Sequence, residues 1–312
     1  MAPAEDDISI EEKRVYAGTA GRIDAYVATE SGIVRVALSA DKIGAFDMVA
    51  RGPARDAAVL VRAGDPDLVG IATPDGLQVA PVGDDPEFEP VTDDPDEAKS
   101  IVAVGVHDGA FLVASEGGEI GRIEVGDASS DPTATSIASV GSASDPRAID
   151  GPLVAAGDGV HRVTDPGVTE GDGAGANAAR ALTAVGLDDA RDVAGVGTPL
   201  AATGAGVYWL GNGWMSALEG DATAVAADGD GHAMAAADGD LFVHASDDEW
   251  GAGTWTATDL PVDEEPVALG YGPGVSVAVT DAGTLCVDAG DGWRHQVVGV
   301  RGVAGVALGA VE

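Results

Sequence analysis

Cysteine, lysine and aromatic side chains are scarce in this chain of 312 residues. The single cysteine, Cys286, excludes an internal disulfide and a cysteine-rich metal site, and its place in the apolar segment Thr284–Val287 predicts a small buried side chain. No apolar run is long enough to span a membrane, and residues Met1–Asp7 lack the basic and apolar regions of a signal peptide. These absences predict a cytoplasmic protein, and we expect no cofactor.

Positively charged residues are also few. The chain has 53 acidic residues against 16 Lys and Arg, a formal net charge of −37, yet 45% of its residues are hydrophobic. An acidic chain with a normal apolar content indicates a folded protein adapted to high salt rather than a disordered one. Without a basic stripe, nucleic acid and anionic membranes are not expected partners. We expect the melting temperature to rise from dilute to molar KCl, where screening shortens the Debye length to about 3 Å; an unchanged value would contradict this.

A short repeat dominates what is present. It consists of an apolar segment, a small residue, usually Thr or Ser at the third position, and a glycine that begins a second apolar segment. Two apolar segments joined by a tight glycine turn predict a β-hairpin. The seven copies are Val27–Gly32, Ile71–Gly76, Val113–Gly118, Val154–Gly159, Ala201–Gly206, Met234–Gly239 and Ala278–Gly283.

The repeat glycines are 44, 42, 41, 47, 33 and 44 residues apart. A period near this length is typical of four-stranded propeller blades, which bury their faces only against neighbouring blades. The sequence therefore predicts an all-β, seven-bladed β-propeller. Six blades is the alternative, and it depends on whether Ala222–Ala227 is an inner strand of a complete blade.

The domain prediction is a solvated acidic tail over residues 1–12 and one propeller over residues 13–312. Val303–Leu308 resembles the innermost-strand segments of other repeats, so we expect it to close the ring beside Ala25–Thr29 and leave no open edge. The longest interval contains the insertion Thr169–Gly186. Its alanine-rich half, Ala176–Val185, favours a short helix on the rim, and its glycine-rich half indicates a linker.

Catalytic motifs do not emerge from the sequence. The five histidines show no ligand spacing, and no serine-hydrolase, zinc-protease or phosphate-loop pattern is present. Asp228-Gly-Asp230-Gly-His232 resembles the start of a calcium loop but lacks the later carboxylate, so Asp228 and Asp230 are weak metal candidates and a polar turn is favoured. We expect no metal site, and His232 remains a candidate binding residue.

Tryptophans give the remaining candidate binding residues. Trp214, Trp255 and Trp293 each follow a glycine-rich turn, and Ser246–Trp255, which includes Trp250, resembles the Asp-box hairpin of sialidase-like and photosystem-assembly-type propellers. In that motif the tryptophan and aspartate are structural, so the resemblance implies fold reinforcement. The sialidase catalytic residues cannot be assigned, so the resemblance implies no activity.

The acidity, the lysine depletion and repeats such as Ala25–Val36 make the whole chain similar to a haloarchaeal β-propeller family. The expected function, from fold analogy, is a non-enzymatic scaffold that binds a protein partner at its rim or channel mouth, as a monomer or weak oligomer. Whether the protein is an enzyme stays open, with a leaning towards none. The alternative is a hydrolase or lyase that acts on a sugar or small anion in the channel.

Overall fold

The computed structural model of the protein describes residues 21–39, 42–91, 99–126, 134–164, 181–245 and 249–311. These residues form 28 β-strands in seven four-stranded antiparallel sheets, and they contain no α-helix. The fold is therefore the predicted seven-bladed propeller. The predicted tail at residues 1–12 lies outside the described residues.

The strands follow one another blade by blade along the chain. Blade 1 begins with β1 (Arg22–Thr29), β2 (Gly32–Ser39) and β3 (Lys42–Arg51); blade 2 has β4 (Asp56–Leu60), β5 (Leu68–Thr73), β6 (Gly76–Pro81) and β7 (Glu89–Pro90); blade 3 has β8 (Ile101–His107), β9 (Ala110–Ser115), β10 (Glu119–Val125) and β11 (Ala134–Ser142); blade 4 has β12 (Pro146–Asp150), β13 (Leu153–Ala156), β14 (Gly159–Thr164) and β15 (Ala181–Gly186). Blade 5 has β16 (Ala190–Ala194), β17 (Leu200–Thr203), β18 (Gly206–Leu210) and β19 (Trp214–Glu219); blade 6 has β20 (Ala222–Ala227), β21 (Ala233–Ala237), β22 (Asp240–His244) and β23 (Trp255–Thr258); blade 7 has β24 (Pro266–Gly272), β25 (Val275–Thr280), β26 (Thr284–Asp288) and β27 (Arg294–Val297); and β28 (Gly305–Val311) comes last.

The last strand belongs to the first blade. The strand order in blade 1 is β28-β1-β2-β3, and β28 pairs with β1 from Arg22 opposite Val311 to Ala28 opposite Gly305. The C-terminal strand is therefore the inner strand of blade 1, in the position expected for it. This pairing closes the ring and leaves no inner edge exposed.

A Thr and a Gly shape the repeat hairpin of blade 1. Thr29 Oγ donates to the carbonyl of Gly32 at 2.8 Å and accepts from the N–H of Ser31, which fixes the turn between β1 and β2. Gly32 has φ +140°, and a Cβ on it would lie 1.9 Å from the carbonyl oxygen of Ala50 in the outer strand. The glycine therefore lets the outer strand approach, which explains why it recurs.

Apolar side chains fill the space between blades. Second strands such as β1 carry alanine and valine that are almost entirely buried, whereas the outer strand β3 is mostly exposed. Seven apolar clusters result, such as the one shared by blades 7 and 1. Cys286 is fully buried in the cluster between blades 6 and 7, and this burial raises its pKa to about 12, so the prediction of a buried thiol is confirmed.

Two finer predictions have different outcomes. Ala222–Ala227 is the inner strand β20 of a complete blade, which excludes the six-bladed alternative. The helix predicted over Ala176–Val185 is wrong for its described part, because Ala181–Gly186 forms β15 and pairs with β14. Pairing with the neighbouring strand overrides the helix propensity of alanine. The rest of that insertion lies outside the described residues.

Candidate functional site: the central channel

The seven inner strands surround an open channel with a cavity volume of about 700 Å³. The inner strands run in the same direction, since the start of β12 bonds to the start of β16 and the end of β12 bonds to the residue after the end of β16. We call the opening where they begin the amino-end mouth and the opening where they end the carboxyl-end mouth. Alanine, valine and glycine dominate the wall, and its charged members are Asp56, Arg147, Asp150, Arg191, Asp192, Asp228 and Asp230.

The carboxylates of three inner strands join neighbouring blades. Asp56 Oδ2 accepts from the N–H of Val104 in blade 3 at 2.9 Å, and Asp192 Oδ2 accepts from the N–H of Val225 in blade 6 at 2.8 Å. Asp150 Oδ2 accepts from the N–H of Gly195 in blade 5 at 2.7 Å. Each carboxylate therefore spans a blade junction next to the channel.

An arginine accompanies each of these carboxylates. Arg147 donates to the carbonyl of Ala190 at 3.2 Å, and Arg191 donates to the carbonyl of Ala222 at 3.3 Å. Arg55 reaches the carbonyl of Ile101 at 3.4 Å. We call each arginine with its carboxylate an Arg–Asp clamp; the clamps are Arg55 with Asp56, Arg147 with Asp150, and Arg191 with Asp192, at junctions 2/3, 4/5 and 5/6.

The channel carboxylates hold their protons unusually tightly. Enclosure by protein raises the pKa of Asp56 to about 8 and that of Asp192 to about 7, although backbone N–H donors to each oppose the shift. The pKa of Asp150 is raised by the same enclosure. Repulsion adds to the effect, because Asp56 is raised further by Asp192 and Asp150, and Asp192 by Asp150. These carboxyl groups are therefore partly protonated near neutral pH and become charged only as the pH rises.

Two exposed valines stand at the carboxyl-end mouth. Val61 directly follows β4 and is 74% exposed, and Val196 follows β16 and is 47% exposed. Half-buried Val106 and Tyr271, with exposed Pro273, line the same cavity. Apolar side chains of blades 2, 3, 5 and 7 therefore line this mouth, and Asp228 and Asp230 of blade 6 line the cavity beside them.

The backbone packs tightly around Val196. A Cβ on Gly195 would lie 2.1 Å from the carbonyl oxygen of Asp150, and one on Gly229 would lie 2.9 Å from Val196 Cγ1. Only glycine permits these approaches, so the backbone on both sides packs closely around Val196.

The Asp228–His232 segment borders this mouth as a polar turn between β20 and β21. Asp228 Oδ1 accepts from the N–H groups of Asp230 and His232, and its Oδ2 lies 2.6 Å from His232 Nδ1. Burial acts to raise the pKa of Asp228, but these bonds lower it overall. The carboxylate is thus occupied by its own turn. Among the described residues no group of three or more His, Cys, Asp or Glu side chains has metal-binding geometry.

Trp250 and Trp255 belong to one aromatic cluster in blade 6. Trp250 stacks on His244 with ring centroids 4.0 Å apart, and Trp255 lies 5.5 Å from His244 and is 8% exposed. His244 Nδ1 lies 3.0 Å from the carbonyl of Gly231, so the cluster supports the turn at the mouth.

The other two tryptophans lie at separate junctions. Trp214 Nε1 donates to the carbonyl of Val185 at 3.0 Å and packs on a cluster shared by blades 4 and 5. Trp293 packs partly buried on the cluster between blades 6 and 7. The four candidate tryptophans therefore form no common surface, and a binding role for them or for His232 stays a prediction.

The fold and its channel define the class of this protein as a seven-bladed β-propeller with four-stranded blades. No helix in the described parts of the chain is long and apolar enough to cross a membrane. The chain belongs to the HVO_0234-like beta propeller family, which takes its name from a haloarchaeal gene and whose sequence model matches residues 9–309. The resemblance to a haloarchaeal propeller family is thus confirmed.

Solved structures resemble this chain at low sequence identity. Apo AztD from Citrobacter koseri is 14% identical, with 91% of this chain and 84% of that chain covered and a TM-score of 0.52. YCF48 bound to D1 peptide is 15% identical, with coverages of 79% and 81% and a TM-score of 0.52. The WD40 propeller domain of Doa1 is 13% identical, with coverages of 75% and 78% and a TM-score of 0.48. None of the curated proteins matches the sequence.

Sequence reasoning missed the clamps and the apolar mouth. The signal for the clamps was present, since Ala54-Arg55-Asp56 and Ala190-Arg191-Asp192 repeat the same three residues at the start of two inner strands. The mouth left no such signal, because Val61 and Val196 look like ordinary strand ends.

Proposed function

We propose that this propeller is a non-enzymatic cytoplasmic scaffold that holds a protein partner at the carboxyl-end mouth of its channel. One observation carries the proposal: Val61 and Val196 are exposed at that mouth, among apolar side chains that several blades contribute to the same cavity. Exposed apolar groups that are rimmed by polar surface mark interaction sites.

The position of these valines distinguishes them from other exposed apolar residues. The remaining large exposed hydrophobic side chains in the described residues lie on outer strands, where one side of the strand has no neighbour: Phe46, Met48, Ile137, Met215 and Val297. Val61 and Val196 instead flank the cavity, where a partner gains contact with several blades at once.

A structural neighbour offers a fold-level precedent. The solved YCF48 structure contains a bound D1 peptide, so a propeller of this architecture can bind a peptide. At 15% identity the comparison supports the proposal only by analogy of fold.

The test is affinity purification from a cell extract kept in molar KCl, followed by mass spectrometry. The double variant Val61→Asp with Val196→Asp places two charges at the mouth. The matched control, Ile137→Asp with Val297→Asp, places two charges on outer strands, at apolar residues that are 52% and 56% exposed. We expect the wild type and the control to retain a common protein that the mouth variant loses. Equal retention by all three would contradict the proposal.

A second candidate is a channel hydrolase or lyase. It is favoured by the raised pKa values of Asp56 and Asp192, because perturbed carboxylates in a cavity suit general acid–base chemistry. Both carboxylates already bond to backbone N–H groups across junctions, which supports a structural role. A turnover screen with sugar and small-anion substrates, comparing wild type with Asp192→Asn, tests it: activity that the variant loses would favour the enzyme.

A further inference from the structure

We propose that the partner segment held at the carboxyl-end mouth is an apolar peptide that carries a lysine or arginine, whose side chain enters the channel towards Asp150 and Asp192. The inference rests on the proposed function and names the chemistry of the partner. It follows from the order of groups along the channel axis.

The first groups that an entering side chain meets are apolar, and the next are acidic. Val196 stands at the rim, and Asp150, the last residue of β12, lies directly beneath it because its carboxylate accepts from the N–H of the adjacent Gly195. Asp192 lies deeper, within β16. A long side chain with an apolar stem and a cationic head matches this sequence of surfaces, as lysine and arginine do when they cover apolar groups.

The cations that line the channel are already paired. Arg147 lies 2.6 Å from Asp189, and Arg191 lies 2.8 Å from Asp221, both near the starts of their inner strands. These pairs place the positive charge at the amino-end mouth. Asp230, which is exposed and lines the cavity beside the opposite mouth, adds negative charge where the peptide enters. The charge of the channel thus favours a cationic side chain from the carboxyl end.

Proton release gives this interaction a measurable sign. Asp192, with a pKa of about 7, is largely protonated below neutral pH. An entering cation favours its ionised form, so binding expels a proton and affinity rises with pH, by up to about tenfold per pH unit for each proton released.

The experiment is selection of peptides from a display library of random short peptides on the immobilised full chain in molar KCl. Three variants accompany the wild type: Val61→Asp with Val196→Asp, Asp150→Asn with Asp192→Asn, and the control Asp75→Asn with Asp85→Asn, which removes two charges from the exposed surface. Asp230→Asn is added because it removes a lining charge that spans no junction, so it stays informative if the clamp variant does not fold. Circular dichroism melts verify folding.

We expect wild type and control to enrich apolar peptides with lysine or arginine. The Asp150 and Asp192 variant, or Asp230→Asn, should reduce the basic enrichment several-fold and keep the apolar enrichment, and the affinity of a selected peptide should rise from about pH 6 to about pH 8. Apolar peptides without basic residues, lost only in the mouth variant, would overturn this inference and leave the proposed function standing. No selection by the wild type, or selection that the mouth variant retains, would overturn both.

Discussion

The junction between blades 5 and 6 and the junction between blades 7 and 1 are both packed from apolar side chains, but the first also has an Arg–Asp clamp. Junction 5/6 has a clamp in which Arg191 and Asp192 bond to the backbone of β20. Junction 7/1 closes the ring, and it is packed from twelve buried apolar side chains, including Val36, Val277 and Leu285. The closing junction therefore depends on the hydrophobic effect, whereas the clamped junction adds interactions that depend on protonation.

The difference shows how one repeat serves two purposes. Asp56 in blade 2 and Asp192 in blade 5 occupy equivalent places, each opposite an alanine four residues before the repeat glycine. In blade 1 this place is held by Gly305, opposite Ala28. A carboxylate fits where the next blade presents an N–H group, and glycine leaves space where the neighbour, here Asp56, needs it.

Removal of residues 300–312 should have the largest effect, because it destroys junction 7/1. The truncation deletes β28, which exposes the edge of β1 and removes Val306 and Leu308 from the packing of junction 7/1. We expect loss of cooperative folding, measured by thermal melting with circular dichroism in molar KCl. A truncated chain that still melts cooperatively would refute closure by this strand.

Leu285→Ala should have the next largest effect. Leu285 is fully buried in junction 7/1, and truncation of such a side chain costs about 2–5 kcal/mol of unfolding free energy. Urea denaturation measures it. Val297→Ala, on the neighbouring outer strand and 56% exposed, is the control and should change stability little. Equal losses of unfolding free energy in the two variants would mean that apolar packing at junction 7/1 does not stabilise the fold more than an exposed outer strand does.

Asp192→Ala should weaken junction 5/6 by a smaller amount. The change leaves the N–H groups of Val193 and Val225 without their acceptor, at a cost on the order of 1–3 kcal/mol. Asp192→Asn keeps one acceptor oxygen but places an NH2 group against the second N–H, so in urea denaturation it should recover only part of this loss. If both variants lose the same amount, the carboxylate does more than accept these bonds.

The smallest expected effect is the pH dependence of the unfolding free energy, which should differ between a clamped and an apolar junction. The pKa of Asp56 in the folded protein, about 8, lies above its ordinary value of 3.8, so the folded state binds the proton more tightly. Its contribution to stability is complete below that ordinary value and is lost as pH rises through about 8. A rise from about pH 7 to about pH 8 should cost on the order of 1 kcal/mol.

Denaturation of the wild type and of Asp56→Asn over this pH range isolates the effect. The variant lacks the titrating carboxyl group, so its pH dependence should be flatter. Leu285→Ala, in the apolar junction, should keep the wild-type slope. If the stability of Asp56→Asn changed with pH as steeply as that of the wild type, Asp56 would not titrate in this pH range.

The blades were predictable because each hairpin leaves a local signal. The repeat glycines mark places where a Cβ would strike the outer strand, as at Gly32, and Thr29 marks the turn that it caps. Ala181–Val185 was misread because its strand pairing with β14 depends on residues nearby in space. The apolar side chains of the mouth could not be predicted, since Val61 and Val196 line one opening only when the ring of blades assembles.

Closure by β28 also sets an order of events in folding. Blades 2 to 7 pair strands that are consecutive in the chain, whereas blade 1 pairs β1 with a strand some 280 residues away. Contacts between distant segments form slowly, because the entropy of closing the loop must be overcome first. The first blade along the chain is therefore the last to be completed, and until then the nascent ring has an unpaired edge that another molecule can occupy.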